Sequence, residues 1–316
     1  VPQGAVRSKP KISFVMVGRN DKYLGDFLGR MQKSVDELLI QCSTQKVLSE
    51  LIIVDWNPPK NRLPLEKALN WTYLGYSCRV KIVTVPNELH RTIENSDKMP
   101  LFEYIGKNVG IRRAQGNYIV CMNPDIVLSG HLASFILDTR NLSTQTFYRT
   151  PRLDLDETDK IVQWNWYLGS QKAGENLKDK MERLGLGILD YLIWRLRHFP
   201  LQKTFTNAAG DFLLTSKLGW SRAGGYPEVT GVDVDGYHHA DSFILYQLLR
   251  VGLRQKRLKL PVYHMYHGDS TDTGKPVSQE VGEIRRALLK GNLDQRENLD
   301  WGLSRHHLVV KTMRRP

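Results

Sequence analysis

Three short apolar runs, each ended abruptly by turn-forming or acidic residues, constrain this chain more than any other feature. The runs are Ile12–Val17, Leu51–Val54 and Tyr118–Met122. The first ends at Gly18, the second is followed by Asp55, and the third is followed by Asn123-Pro124-Asp125. Apolar runs of this length without alternation are typical of strands that are buried on both faces of a parallel sheet.

Helical patterns separate these runs. Apolar residues that recur every three or four positions predict a helix over residues 23–42, and residues 101–114 predict another helix before the third run. The alternating residues 80–85 predict a further strand. The order strand, helix, strand, strand, helix, strand predicts an α/β half with a mostly parallel sheet, which binds ligands at the carboxyl ends of its strands.

The pattern is looser in the second half of the chain. It predicts helices over residues 131–137 and 241–251, strands over 146–149, 211–214 and 258–263, and irregular structure over 151–178. The chain has 316 residues, 41% of them hydrophobic, and no linker of low complexity. We therefore expect one domain, in which the second half completes the sheet of the first.

The charge of the chain predicts an anionic partner. The formal net charge is +12 and the pI is near 9.5, which suits nucleic acid, an anionic membrane surface or a diphosphate-bearing substrate. The basic residues are scattered, and the sequence has no RRM, KH, helix-turn-helix or zinc-finger signature, which argues against nucleic acid. Residues 179–199 form a basic amphipathic stretch, which predicts either peripheral membrane association or a core helix.

Cysteines and sequons leave the compartment open. Three cysteines argue against a disulfide framework, although a single Cys42–Cys78 bridge remains a candidate. Sequons at Asn70 and Asn141 would accept glycans in a secretory lumen. No apolar run reaches the roughly 18–20 residues that span a bilayer, and the chain begins at Val1. We expect either the Golgi lumen, with an N-terminal anchor removed, or the cytoplasm of a bacterial or viral setting.

Acidic residues and histidines stand where predicted strands end. Asp55 and Asp125 follow two of these strands, and His264 and His267 follow a third. A carboxylate at this edge of a sheet suits a divalent ion on a diphosphate, or the base and ribose of a nucleotide. Imidazole together with one carboxylate suits Mn²⁺. The alternative is a turn or helix cap for each carboxylate and a structural place for the histidines.

Two further candidates lie in the second half. Asp241 begins a predicted helix, whose dipole keeps a carboxylate ionised and suited to act as a general base. A helix cap without a catalytic duty is the alternative, and Asp233 and Asp235 compete for the same role. Gly210 lies in a run of small residues before a strand, which permits either close approach of a ligand or tight packing.

Taken in order, these segments resemble the GT-A glycosyltransferases, in particular family-2-like and galactosyltransferase-like members. The first strand and its loop resemble the family's opening motif, and Asp55 resembles its acidic nucleotide contact. Residues 107–120 are similar to the Asn-x-Gly-x-x-x-Ala-x-Gly helix that precedes the metal-binding Asp-x-Asp motif. That motif falls on Asn123-Pro124-Asp125, where the first acid is replaced and the last is kept. Gly210-Asp211-Phe212 and Gly224–Glu228 resemble the strand and turn of the acceptor side.

The resemblance implies a fold and an activity. The fold is Rossmann-like α/β, with a mostly parallel central sheet flanked by helices, in a single GT-A catalytic domain over residues 1–316. Its nucleotide-sugar half would cover about residues 11–130, and the acceptor half would cover about residues 131–316. The implied reaction moves a sugar from a nucleotide-sugar donor, UDP-linked by preference, to a glycan, glycoprotein or glycolipid. The resemblance implies assistance by Mn²⁺ or Mg²⁺ and leaves retaining and inverting mechanisms open, of which Asp241 as a base favours the inverting one.

The resemblance also implies roles for individual residues. Asp125 would hold the metal with His267 or His264, and Asp241 would act as the base. The implied donor-binding residues are Gly18, Arg19, Asn20, Asp55, Asn108, Asn123 and Asp125, and the implied acceptor-binding residues are Gly210, Asp211 and Trp301.

Two alternatives are related to this fold. A non-catalytic carbohydrate- or nucleotide-binding relative is compatible with the altered residue Asn123. A sugar nucleotidyltransferase ranks lower, because its phosphate loop is rich in glycine, whereas residues 17–21 here contain one glycine. Lys107, Arg112 and Arg113 can attract a diphosphate, and a solvated helix face is the alternative for them.

Overall fold

The computed structural model describes residues 9–22, 25–165, 204–205, 209–228, 230, 240–267 and 300–315. The amphipathic stretch 179–199 and the competing acids Asp233 and Asp235 lie outside these residues, so the hypotheses built on them stay predictions.

The strands of the described residues form two sheets. In chain order they are β1 (Ile12–Gly18), β2 (Ser49–Trp56), β3 (Cys78–Val85), β4 (Tyr118–Met122), β5 (Ile126–Leu128), β6 (Thr146–Arg149), β7 (Arg152–Leu155), β8 (Ile161–Asn165), β9 (Phe212–Ser216), β10 (Arg254–Arg257), β11 (Val262–His264) and β12 (Val309–Thr312). The central sheet has the order β10-β6-β9-β4-β1-β2-β3-β12. Its first-half strands pair in parallel, as do β6 and β10, whereas β9 and β12 are antiparallel to their neighbours. The predicted α/β class with a mostly parallel sheet is confirmed.

Helices flank this sheet. They are α1 (Phe27–Gln45), α2 (Leu65–Ala68), α3 (Asn87–His90), α4 (Glu103–Arg113), α5 (Gly130–Leu137), α6 (Lys217–Ala223) and α7 (Ala240–Arg250). Successive side chains of a strand point to opposite faces, so β1 packs Phe14 and Met16 with α1, and Val15 and Val17 with α4. Burial on both faces explains why this run lacks polar alternation. Among the described residues, no helix is long and apolar enough to cross a membrane.

The second sheet, of order β5-β11-β7-β8, corrects two predictions. The irregular structure predicted over 151–178 is wrong for residues 152–165, which form β7 and β8. Their turn is held by Oδ1 of Asp156, which accepts from the N–H groups of Thr158 (2.8 Å) and Lys160 (2.9 Å). The single strand predicted over 258–263 is also wrong. The chain leaves the central sheet after β10 and joins the second sheet at β11, with Pro261, which has no N–H for a ladder, between them.

Both halves of the chain contribute to the central sheet. Strands β6, β9, β10 and β12 all come from beyond residue 131, and they pair with one another or with first-half strands. This shared sheet supports our proposal of a single domain.

The three cysteines are buried free thiols. Cys42 and Cys78 lie next to each other, and their mutual hydrogen bond lowers the pKa of the Cys42 thiol. The candidate Cys42–Cys78 bridge is therefore absent from this structure.

Candidate metal centre and active site

The turn at the carboxyl end of β4 brings a carboxylate beside two histidines. Asp125 lies between β4 and β5, His264 ends β11, and His267 follows shortly after. Strands β5 and β11 pair antiparallel with Ile126 opposite His264. The N–H of Met265 also donates to the carbonyl of Asp125 (3.0 Å). Backbone pairing therefore holds the three side chains at one place.

Three donor atoms converge there. The Nε2 atoms of His264 and His267 are 3.0 Å apart, and each lies 3.7 Å from Oδ2 of Asp125. Donor atoms that share one ion at ~2.1 Å lie roughly 3–3.5 Å apart. The other oxygen of Asp125, Oδ1, is buried without a hydrogen-bond partner among the described residues. A divalent cation fits this cluster, since two imidazole nitrogens and one carboxylate oxygen lie close enough together to share it.

The chemistry of the cluster indicates which cation fits. Burial raises the pKa of the Asp125 carboxyl, and this rise prevails over the opposing charge of the histidines. Burial lowers the pKa of His264, but the hydrogen bond with Asp154 and the charge of Asp125 raise it overall. Protons and a cation therefore compete for the same atoms of this cluster. Two imidazole nitrogens and one carboxylate suit a transition-metal dication better than Mg²⁺.

Asp154 is a site residue that the sequence analysis missed. It lies on β7 directly opposite His264, and its Oδ1 is 2.9 Å from Nδ1 of that histidine. The available sequence feature is the period-two alternation of Arg152-Leu153-Asp154-Leu155. Four residues of alternation at the start of a polar stretch do not by themselves distinguish a strand from a loop.

A buried lysine holds the altered residue of the metal motif. Lys107 on α4 is fully buried, and its Nζ donates to Oδ1 of Asn123 (2.6 Å) and to the carbonyl of Gly210 (3.0 Å). It also pairs with Glu103, one turn earlier on the helix. Burial lowers the pKa of Lys107, but the charge of Glu103 and other anions raises it overall, so the ammonium stays charged. The solvated-face alternative is wrong for Lys107, whose hydrogen bonds lie within the protein.

Asn123 and Asp211 extend this network. Nδ2 of Asn123 donates to Oδ1 of Asp211 (2.9 Å), and Arg152 donates to the Oδ2 atom (2.9 Å). The Asp211 side chain is 8% exposed and both its oxygens face these partners. Both carboxylate oxygens of Asp211 are thus hydrogen-bonded within the protein. The acceptor contact that the resemblance implies for Asp211 stays a prediction.

The candidate base contacts this network through Gly210. Asp241 is in the first turn of α7 and is partly exposed. Its Oδ2 accepts from the N–H of Gly210 (2.9 Å), whose carbonyl accepts from Lys107. The peptide groups around Gly210 therefore connect the candidate base to the residue that holds the metal motif.

The loop after β1 is tied to the segment after β2. Arg19 donates from Nε to the carbonyl of Asn57 (2.8 Å) and pairs with Asp21 (2.6 Å). Asn20 is buried and donates from Nδ2 to the carbonyl of Leu63 (2.7 Å). These contacts shape the loop that begins at Gly18.

Asp55, at the end of β2, is fully buried. Its Oδ2 accepts from the N–H of Leu65 at the start of α2 (2.9 Å), as the capping alternative predicts. Its Oδ1 has no hydrogen-bond partner among the described residues, and burial raises the pKa of the carboxyl to about 6. A buried acceptor without a donor is characteristic of ligand sites as well as of strained ones.

A cavity lies beyond the carboxyl ends of β2 and β3. It measures about 480 Å³ and is lined by Asn57, Asn87, His90, Arg91, Ser96, Asp97 and Pro100. Its volume is that of a small-molecule site. Asn57, which accepts from Arg19, joins the cavity to the loop after β1. No motif in the sequence indicates this cavity, because its walls come from α3 and from loops that carry none.

Asn108 is hydrogen-bonded to the turn over residues 224–228. It is fully buried on α4, donates to the carbonyl of Tyr226 (2.8 Å) and accepts from the N–H of the same residue (2.7 Å). Its Nδ2 also donates to Glu228 (2.9 Å). Asn108 therefore holds the turn over residues 224–228, and the nucleotide contact that the resemblance implies stays a prediction.

Trp301 packs across the same helix. The guanidinium of Arg112 lies 4.9 Å from the centre of its ring. A Cβ on Gly225, whose φ is +73°, would come within 2.6 Å of the ring and 2.5 Å of Asn108. Only glycine fits there, so Trp301 is part of the packing of the turn, and its partly exposed ring keeps acceptor contact as a proposal.

The comparisons with known proteins concern the fold. No protein-family model matches the sequence, and no curated protein matches it. The crystal structure of GalNAc-T7 with UDP, GalNAc and Mn²⁺ is similar over 89% of this chain and 48% of that one, at 13% identity and a TM-score of 0.47. The crystal structure of S. aureus TarS 1-349 is similar over 81% of this chain and 60% of that one, at 12% identity and a TM-score of 0.48. The chain thus spans about half to three fifths of the length of these structures.

Proposed function

We propose that the chain is a GT-A glycosyltransferase that moves a sugar from a nucleoside-diphosphate donor, with UDP favoured, to a hydroxyl of a glycan, glycoprotein or glycolipid. The observation that carries the proposal is the convergence of Asp125, His264 and His267 at the carboxyl end of β4. This edge is where open α/β sheets bind their ligands, and the motifs along the chain occur in the order that the resemblance requires.

Asp125 and the two histidines would hold Mn²⁺ in this proposal. When bound, the ion supplies positive charge that stabilises the departing diphosphate. Asn123 lacks the charge of the first acid in the motif, and Lys107 and Asp211 keep its amide in one orientation. Their network fixes the turn that presents Asp125.

Asp241 would accept the proton of the attacking hydroxyl, which gives an inverting transfer. The N–H of Gly210 donates to one oxygen of Asp241 and holds the carboxyl group in place. The loop at Gly18, Arg19 and Asn20 would shape the donor site. Asp55 would contact the base of the nucleotide, because its Oδ1 has no donor among the described residues.

A thermal-shift panel tests the proposal. UDP, GDP, CMP and their sugar conjugates are added to the chain with and without Mn²⁺. A ligand at a hundredfold excess over its dissociation constant stabilises the native state by about 2.7 kcal/mol. We expect a shift that is specific for UDP and its conjugates, needs Mn²⁺ and is lost in Asp125→Ala. The exposed Asp159→Asn serves as a control that keeps the shift.

Donor turnover completes the test. Hydrolysis of a UDP-sugar, reduced by about 10²–10⁴ in Asp241→Asn with donor binding kept, supports the enzyme. A nucleotide shift without any turnover would instead support the non-catalytic binding relative. No shift with any nucleotide would contradict both.

A further inference from the structure

Asp154 contacts His264, one of the three candidate metal ligands, from outside the cluster. The inference drawn from this contact rests on the proposed function. We propose that Asp154 is a positioning residue that fixes the tautomer of His264 and so aims its Nε2 lone pair at the metal site. Asp154 itself does not belong to the converging ligand cluster.

The contact determines where the ring proton of His264 lies. Oδ1 of Asp154 is 2.9 Å from Nδ1 of His264. An ionised carboxylate only accepts, so Nδ1 donates and carries the proton of the neutral ring. Nε2 then keeps its lone pair, which is the form in which imidazole binds a metal. The opposite tautomer would present an N–H to the cation.

Nε2 of His264 lies beside the other candidate ligand atoms. Nε2 of His264 is 3.0 Å from Nε2 of His267 and 3.7 Å from Oδ2 of Asp125. The two nitrogens of the His264 ring therefore have different partners: Nδ1 contacts Asp154, and Nε2 lies in the ligand cluster. Carboxylate, imidazole and metal in this order form an arrangement that recurs in protein metal sites.

The fold holds Asp154 from two directions. Strand β7 pairs in parallel with β11, and the register places Asp154 opposite His264. Arg152 lies 3.0 Å from the same Oδ1 through its Nε and donates from its other end to Asp211 (2.9 Å). The Asp154 side chain is 16% exposed. A carboxylate held by a strand register and an arginine can orient a ring more firmly than one held by water.

A metal titration without nucleotide tests the positioning role. Free Mn²⁺ is followed by electron paramagnetic resonance as metal-free protein is added. We expect Asp154→Ala to raise the Mn²⁺ dissociation constant about 10–100-fold. Asp154→Asn should raise it less, since its carbonyl can still accept from Nδ1. The control is Asp159→Asn in the turn between β7 and β8, where the side chain is 61% exposed and the φ of +60° suits asparagine.

The outcomes separate this inference from the proposed function. If Asp154→Ala binds Mn²⁺ as tightly as the wild type while Asp125→Ala does not bind it, the positioning role is wrong and the metal site stands. If the wild type does not bind Mn²⁺, the metal site fails and the inference fails with it.

The tautomer can also be measured without metal. ¹⁵N spectra of the histidine-labelled wild type, recorded above the His264 pKa, should show the proton on Nδ1 of His264. Asp154→Asn, which keeps the shape of the side chain, should admit the other tautomer as well. A wild-type ring with its proton on Nε2 would overturn the proposal whatever the variants do.

Discussion

Asn123 shows how a single residue can depart from a motif and still belong to the site. Its amide bridges a buried cation and a buried anion, accepting from Lys107 (2.6 Å) and donating to Asp211 (2.9 Å). Only a side chain with both an acceptor and a donor fits between these two charges. The substitution in the Asp-x-Asp motif is therefore matched to its surroundings.

Restoring the acid at this position should weaken the protein. Asn123→Asp places a carboxylate where the amide donates to Asp211, 2.9 Å away. Two buried like charges at this distance repel, and Lys107 offsets only part of that repulsion. We expect a loss of about 1–3 kcal/mol in the free energy of unfolding, measured by urea denaturation, and no gain in Mn²⁺ affinity. Asn117→Asp, at an exposed turn, is the matched control. Tighter Mn²⁺ binding by Asn123→Asp would contradict this account.

Asp55 should make stability depend on pH. Its pKa is about 6 in the folded chain, compared with 3.8 in an unperturbed one, because the carboxyl is buried. The folded state therefore binds this proton more tightly, and the charged form destabilises it. That destabilisation begins near pH 4, grows as the pH rises and is complete above about pH 6, reaching at most about 3 kcal/mol.

The variant Asp55→Asn isolates this effect. The amide of the variant does not titrate. The free energy of unfolding of the variant should therefore rise relative to that of the wild type between pH 4 and pH 7. The unpaired amide changes the free energy of unfolding of the variant by the same amount at every pH, so it does not change the direction of that trend. Chemical denaturation at a series of pH values measures it, and parallel curves for the two proteins would show that the carboxyl is not perturbed.

At the scale of elements, the sequence predicts strands that are buried on both faces and misses short ones with distant partners. Strands β1, β2 and β4 are continuous apolar runs, so their burial is visible locally. Strand β7 has four residues, and its pairing with β11 joins segments more than a hundred positions apart. The proximity of the candidate ligands Asp125, His264 and His267 was predictable from strand ends. Asp154 and the burial of Lys107 depend on those distant pairings and were not.

The turn over residues 224–228 tests whether Asn108 is structural. Asn108→Ala would leave the N–H and carbonyl of Tyr226 buried without partners. We expect a loss of about 2–4 kcal/mol in the free energy of unfolding, measured by urea denaturation. The dissociation constant for UDP with Mn²⁺, measured on the folded variant, should stay unchanged. A loss of UDP affinity without a loss of stability would show that Asn108 acts in donor binding rather than in holding the turn.

At the scale of the whole molecule, the net charge and the local charge have opposite signs. The chain carries +12 overall, which attracts an anionic donor from a distance. The candidate site, however, brings together Asp125, Asp154, Asp211 and Asp241 around Arg152 and Lys107. A diphosphate that approaches these carboxylates without a cation is repelled at the last step.

Mn²⁺ and the diphosphate should therefore bind cooperatively, each increasing the affinity of the other by the same factor. We expect a factor of about 10–100, which corresponds to roughly 1–3 kcal/mol of coupling. Calorimetric titration of UDP with and without Mn²⁺, and of Mn²⁺ with and without UDP, gives two estimates of that factor. Uridine is the matched control, since it has the base and ribose but no phosphate to share the ion. Coupling with UDP alone would place the metal on the diphosphate, whereas equal coupling with uridine would mean that the ion acts on the shape of the site.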